Sequence, residues 1–384
     1  MDELTFHIPT KVIFGLDVLN RAGQVVSELG KRALVVSEAV LFEERAGDAV
    51  LGYLQKQGVE VLVFDEVGSG TTSSVVERAI ELARASRADL VIGFGGIRAL
   101  SCAKCVARMA PLSLRLDELF TTPLSNAGLS DALPYVEIPT TCRNPFMLTD
   151  ECLLVDARNR RASILDLGIY AYAAIIDPTL TLTLSEKYTV STMMDTLLAA
   201  IESYFSRKST FLSDTLALRA IGVITSIMDD LAGHGEDRDL RFRASQAGLL
   251  VALSLTMSTQ GVGAACAYAL SAKAIVPKSM VSTVMIPYVL EHGMLSQPKK
   301  VERIGNVLGE EIYGKPLRDF SVHLVDVVRQ RMGLLQIPMR LADFDVSLDS
   351  LVEIAAVAHA MPMTKFLVEP MAQEDILALL REAL

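Results

Sequence analysis

The chain has 384 residues, of which 51% are apolar and 21% charged. At roughly 150 residues per domain it holds two or three domains, and a chain of this size can bury a large core without a disulfide or metal staple. Its net charge of −10 and pI near 5.1 argue against a nucleic-acid or anionic-membrane partner, which would need a basic face.

Five cysteines (Cys102, Cys105, Cys142, Cys152, Cys266) are an odd number in a large chain. The acidic start Met1-Asp2-Glu3-Leu4 has no apolar signal-peptide core, so reduced thiols and a cytoplasmic location are expected. The stretch Ala247 to Ala272 carries no charged residue. Its Ser258-Thr-Gln-Gly261 break reads as two buried helices rather than one membrane span.

The first half alternates strand and helix. Ala33 to Ser37 and Val61 to Phe64 are short β-branched runs that read as buried strands. Ser74-Val-Val-Glu77 has the spacing of a capping box, which predicts a helix from there to about Ala88. Asp89 to Phe94 is a third strand, Gly95-Gly96 opens the next helix, and Tyr135 to Pro139 is a fourth strand. Strands separated by helices of this length imply a parallel sheet with right-handed crossovers. From Leu184 onward the pattern is helical, as in Met193, Met194, Leu197, Leu198, Ile201 and Phe205, and Ser347 to Leu384 is mainly helical too. Asp177-Pro178 is the expected boundary, giving an α/β domain over 1–178 and an all-helical domain over 179–384.

The strand–Gly–Gly–helix element at Val91 to Lys104 is the first functional candidate. Backbone amides at a helix N-terminus, approached closely because of glycine, bind phosphate; a tight turn with no ligand fits the same pattern.

Over nearly its whole length the sequence resembles the iron-containing alcohol dehydrogenases. The resemblance is carried by Phe14-Gly15, Gly30 to Val36, Gly58-Val59, Ile92-Gly-Phe-Gly-Gly96 with Lys104, and Ile138-Pro-Thr-Thr141. It continues through Ile175 to Leu182, Met194-Asp195 with Ala200 to Tyr204, and the ending from Glu374. The resemblance implies a dehydroquinate synthase-like fold: a nucleotide-binding α/β domain with a parallel sheet, and an all-α C-terminal domain that carries the metal in relatives. Members use NAD or NADP and usually one divalent metal, interconvert alcohols with aldehydes or ketones, and usually form dimers or larger homo-oligomers.

Carried over position by position, the metal site fails. Asp195 keeps the family's aspartate, but Ala199 stands at the first ligand histidine, Cys266 at the second and Lys278 at the third, with Leu270 at a nearby active-site histidine. One ligand survives, with one thiol as a substitute, whereas three protein ligands are the usual minimum for a catalytic site. Bound metal is therefore not expected. A lysine here would put a positive charge where the metal's charge was and could pair with Asp195; a helix carboxylate satisfied by other neighbours is the alternative.

The nucleotide positions are altered as well. Gly95-Gly96-Ile97-Arg98 stands for a Gly-Gly-Gly-Ser loop, with Ser101 for its aspartate. Ile97 is expected to resist the backbone conformation that phosphate needs. Arg98 would either hold phosphate itself or be a solvated charge. Thr140 and Thr141 are kept, but Pro145 and Phe146 would fill space open to a cofactor. Glu38 replaces a ribose-contacting aspartate and favours NAD over NADP if either binds.

Cys102-Ala-Lys-Cys105 lies inside a helix with no second pair at zinc spacing, and the five histidines form no pair at i, i+3 or i+4. Two functions follow as expectations. One is an oxidoreductase scaffold without iron that binds a small molecule or a protein partner as a pseudoenzyme. The other is a metal-independent, NAD-linked alcohol dehydrogenase or aldehyde reductase in which Lys278, Arg161 or Tyr288 polarises the carbonyl.

Overall fold

The computed structural model describes residues 4–68, 70–121, 132–310, 317–344 and 346–384, with backbone alone for 317–321; the acidic start Met1-Asp2-Glu3 lies outside the described residues. The chain divides into a sheet unit, His7–Thr183, and a helical unit, Leu184–Leu384, to which residues 4–6 also belong.

In the sheet unit the elements run β1 (Lys11–Phe14), α1 (Ala22–Ser27), β2 (Arg32–Glu38), α2 (Ala39–Glu43), α3 (Ala46–Gln55), β3 (Glu60–Val67), α4 (Ser73–Ser86), β4 (Leu90–Gly95) and α5 (Ile97–Met109). They continue through β5 (Tyr135–Pro139), β6 (Glu151–Val155), β7 (Ala162–Asp166) and β8 (Ala173–Ile176). Six strands form one parallel sheet in the order β1-β8-β5-β4-β2-β3. The alternation of side chains along each strand feeds two cores. Ala33, Val35, Leu90 and Ile92 point to one face and Leu34, Val36 and Val91 to the other. A sheet covered on both faces needs apolar runs without a polar side, which is what β2 and β4 supply.

The predicted parallel sheet is therefore present, and the four strands expected from the sequence are β2 to β5. Three features differ. β1 and β8 are four-residue strands too short to stand out by pattern. β6 and β7 form an antiparallel hairpin outside the large sheet. The helix predicted from a capping box at Ser74 begins at Ser73 instead, after Thr72, with no side-chain cap, because the Ser74 and Thr72 hydroxyls bond each other at 3.0 Å.

The turn Pro178–Thr181 belongs to the sheet unit rather than opening the helical one. The Asp177 carboxylate accepts N–H bonds from Asp17, Leu19 and Thr179 at 3.0–3.1 Å, which ties this turn to the segment after β1.

The helical unit holds α6 (Glu186–Phe205), α7 (Phe211–Gly233), α8 (Arg238–Leu255), α9 (Val262–Ala274), α10 (Lys278–Ser296), α11 (Pro298–Val307), α12 (Leu317–Leu334), α13 (Leu348–His359) and α14 (Gln373–Glu382). α6 is its centre: Thr189 to Tyr204 are all buried, against α7, α8, α9 and α10. The uncharged stretch Ala247–Ala272 is broken between α8 and α9 at the expected place. By length and composition one described helix, Phe211–Gly233, is long and apolar enough to cross a membrane; it packs against α6 and α8.

Candidate functional site

In the sheet unit, β3 and β4 lie on opposite sides of β2. The chain reverses its direction of travel there, and in open parallel sheets ligands bind outside the carboxyl ends of strands at such a switch point. Glu38 ends β2, Gly95 ends β4 and Pro139 ends β5, so Glu38, Gly95, Gly96, Thr140 and Thr141 come together at this crevice. Thr140 donates its N–H to the Gly95 carbonyl at 3.0 Å, and the Thr141 hydroxyl donates to the Arg143 carbonyl at 2.9 Å.

The crevice carries its own acidic side chain. Glu38 accepts the Gly96 N–H at 3.1 Å, at the start of α5, where exposed amides and the helix dipole favour negative charge. Burial raises its carboxyl to about 7, against the lowering effect of the Gly96 bond. Gly95 is required here: its φ is +148°, and a Cβ would lie 1.9 Å from the Glu38 Oε2.

The expectation for Ile97 is overturned. Ile97 opens α5, and the residue with positive φ is Gly95, so no β-branched side chain is strained in the turn. Arg98 donates to the Thr71 carbonyl at 3.4 Å. Phe146 is buried within the sheet unit. Its carbonyl, with those of Thr149 and Glu151, accepts from the buried Lys104 ammonium at 2.6, 2.8 and 3.1 Å.

Behind this loop lies Glu137, fully buried on β5 and bonded to Asn144. Burial pushes its carboxyl up to about 7, opposed by the Lys104 charge. Sequence reasoning missed this pair; the signal was an acid inside the otherwise apolar run Tyr135-Val-Glu-Ile-Pro139. Cys102 and Cys105 sit buried within α5, and burial raises both thiols, the opposite of a reactive pair. Arg161 is exposed on the β6–β7 turn, its N–H bonded to the Asn159 side chain.

In the helical unit, Asp195 and Glu202 lie seven residues apart on α6 and so share a face, with Ala199 between them. Lys278, the first residue of α10, reaches Asp195 and donates to its Oδ1 at 2.5 Å, both side chains almost wholly buried. The Lys278 Nζ also lies 4.6 Å from the centre of the Tyr268 ring. Glu202 accepts from the Gly263 and Ala264 N–H groups at 2.6 and 3.2 Å, at the start of α9. Burial raises its carboxyl, while those amides and the Lys278 charge lower it. Gly263 permits the approach, since a Cβ there would stand 2.7 Å from Val289 and 3.0 Å from Glu202.

Glu202 is a second residue missed from sequence, although its i+7 spacing from Asp195 was visible. Cys266 on α9 is buried, and burial, with the nearby Glu202, raises its thiol. Leu270 is buried in the same helix. Tyr288 does not belong to this cluster. It lies ten residues along α10 from Lys278, about 15 Å at 1.5 Å per residue, and its hydroxyl donates to the Glu382 carbonyl at 2.9 Å.

The donors at the positions implied for metal are thus a carboxylate engaged by an ammonium, a methyl group, a protonated thiol and the ammonium itself. They do not fit a divalent ion. Among the described residues no group of three or more His, Cys, Asp and Glu side chains is placed to hold a metal.

The chain is thus a parallel-sheet α/β unit with a switch-point crevice, followed in sequence by a helical unit with a buried charge cluster on its central helix. Residues 9–178 match the iron-containing alcohol dehydrogenase family, and residues 189–384 match the Fe-containing alcohol dehydrogenase family, C-terminal. The chain belongs to the iron-containing alcohol dehydrogenase family. It is 25% identical over 350 residues to a 1,3-propanediol dehydrogenase of Citrobacter freundii, covering 89% of this chain and 88% of that protein. It is 26% identical over 367 residues to a choline dehydrogenase of Bacillus subtilis, covering 94% and 90%. Among solved structures, a 1,3-propanediol oxidoreductase superposes with TM-score 0.90 at 23% identity over 100% of both chains. An iron-containing alcohol dehydrogenase from Thermotoga maritima superposes with TM-score 0.84 at 26% identity over 99% of both.

Proposed function

We propose that this family member is an oxidoreductase scaffold that has lost most of its metal ligands, does not work as an iron-dependent alcohol dehydrogenase, and serves as a binding protein for a small molecule or a protein partner. The observation that carries the reading is the Lys278–Asp195 contact at 2.5 Å. It engages the one carboxylate left from the implied ligand set, while Ala199 offers no donor and the Cys266 thiol is held protonated. The Glu38 carboxyl on the Gly96 N–H supports it further, because the amide best placed for a cofactor phosphate already has a side-chain acceptor. Five free cysteines, all buried, support a reducing, cytoplasmic location.

A second reading is favoured by the crevice itself. Glu38, Gly95, Gly96, Thr140 and Thr141 still converge at the switch point, and a relative at 22% identity is an NAD-dependent methanol dehydrogenase of Bacillus methanolicus. In that reading NAD binds and hydride transfer proceeds without metal, with the ammonium of Lys278 or the guanidinium of Arg161 polarising a carbonyl.

Two measurements separate the readings. Calorimetric titration with NAD and NADH is expected to give no saturable binding; micromolar affinity supports the second reading against the first. Elemental analysis of the purified protein is expected to show no stoichiometric iron or zinc, and one equivalent of either defeats both.

A further inference from the structure

The helical unit buries two carboxylates, Asp195 and Glu202, on one face of its central helix. Buried charge of one sign is costly unless a counter-charge lies beside it. The charge that lies there is the Lys278 ammonium. Its own position is electrostatically wrong: Lys278 is the first residue of α10, and a cation at a helix N-terminus is opposed by the helix dipole. It is nonetheless buried, 2.5 Å from Asp195 and over the face of Tyr268, and its charge acts on Glu202. Tyr268 is itself held, its hydroxyl donating to Gln260 at 3.2 Å, so the ring presents a fixed face to the ammonium. A second link between the same helices, Ser191 Oγ to Ser279 Oγ at 3.1 Å, fixes the start of α10 against α6.

We infer that Lys278 is the resident cation of this unit: a covalently tethered ammonium that neutralises the Asp195 carboxylate in place of a divalent ion. Asp195 and the face of Tyr268 form a cation site already satisfied from within, while Glu202 is held by the amides at the start of α9. The unit completes its fold without metal, and a divalent ion gains no carboxylate there unless the ammonium leaves. The inference rests on the proposed absence of iron, and it fails separately from that reading: stoichiometric metal in the wild-type protein defeats the reading, whereas a metal-free wild type that tolerates loss of the ammonium defeats only the inference.

The test uses the full chain with Lys278→Met, Lys278→Ala, Asp195→Asn and the double variant Lys278→Met/Asp195→Asn. Breaking one side of a buried pair lowers the melting temperature of a unit this size by roughly 6–20 °C. Each single variant is expected to fall in that range, and the double variant to recover at least half of the Lys278→Met loss. Propylammonium should raise the melting temperature of Lys278→Ala above the effect of equal concentrations of propanol and sodium chloride. Zinc or manganese should stabilise Lys278→Ala and leave the wild type unmoved; chelators should not affect the wild type. Neutral variants as stable as wild type overturn the inference, as does rescue by propanol equal to that by propylammonium. If Lys278→Met does not fold, a folded double variant supports the inference, and a double variant that also fails overturns it.

Discussion

Glu137 makes the stability of the sheet unit depend on pH in a direction opposite to that of most carboxylates. Its folded-state value is raised from 4.5 to about 7, chiefly by burial, and the Lys104 ammonium offsets this only in part. A carboxyl whose folded value is raised favours the protonated form in the fold. Its contribution is complete below about 4.5, is lost as pH rises to about 7, and is constant above. A rise from 4.5 to about 7 corresponds to about 3 kcal/mol. Over a unit of this length that is roughly 6–12 °C in melting temperature. Glu38 is raised to a similar value by burial and adds a second loss over the same window. Glu137→Gln removes the titrating group while keeping a polar side chain beside Asn144, and Lys104 keeps its three carbonyl acceptors. Scanning calorimetry at pH 5, 6, 7 and 8 should show the wild-type transition falling with pH, and the variant falling about half as far. A variant that tracks the wild type degree for degree across this range refutes the reasoning, because the slope would then arise elsewhere.

Three further outcomes are expected. Lys104→Met strands the carbonyls of Phe146, Thr149 and Glu151 and should cost about 3–5 kcal/mol in urea unfolding; a loss under about 1 kcal/mol would show that water replaces the ammonium. Gly95→Ala forces a Cβ to within 1.9 Å of the Glu38 carboxyl and 2.9 Å of the Ala99 Cβ at φ +148° and should cost more than about 2 kcal/mol, while adding Glu38→Ala should recover only the part of that cost due to Glu38. Ellman's reagent should modify none of the five buried cysteines quickly in the native protein and all five after denaturation; a fast native thiol would mark an opening that the fold does not show.

Much of the architecture was legible because its signals are local. The strands β2, β3 and β4 are apolar runs punctuated by glycine or aspartate, and the helix α6 keeps a clean 3.6-residue period. β1 and β8 were not legible because four residues carry no period, and their pairing brings together segments 162 residues apart in sequence at Lys11 and Ala173. The Ile97 expectation went wrong because adjacent glycines do not say which residue of the loop bears the unusual φ; Gly95 alone takes it, and Ile97 is already the first residue of the helix. Glu202 and Glu137 were passed over because a single acid in an apolar segment reads as a solvated residue until the elements packed around it are known. The Lys278–Asp195 contact was legible as a pairing only through resemblance; spacing alone could not relate residues 83 positions apart.

On the proposed reading the two sites share a logic that argues against simple decay. A carboxylate stands on the amide where a helix N-terminus favours an anion, and an ammonium stands on the carboxylate where a cation would bind. The Lys278 ammonium matches the sign of charge that Asp195 demands, whereas the Gly96 N–H holds the Glu38 carboxyl against a burial that favours its neutral form. Loss without compensation would leave a buried carboxylate unpaired in the helical unit, at a cost of about 3–5 kcal/mol, a large fraction of the stability of an ordinary domain. On the proposed reading the tethered ammonium makes a bound ion unnecessary to the helical unit, but it also places a fixed charge where a ligand would have to compete for it. A cation at Asp195 would then have to displace the Lys278 ammonium, and an anion at the Gly96 amide the Glu38 side chain.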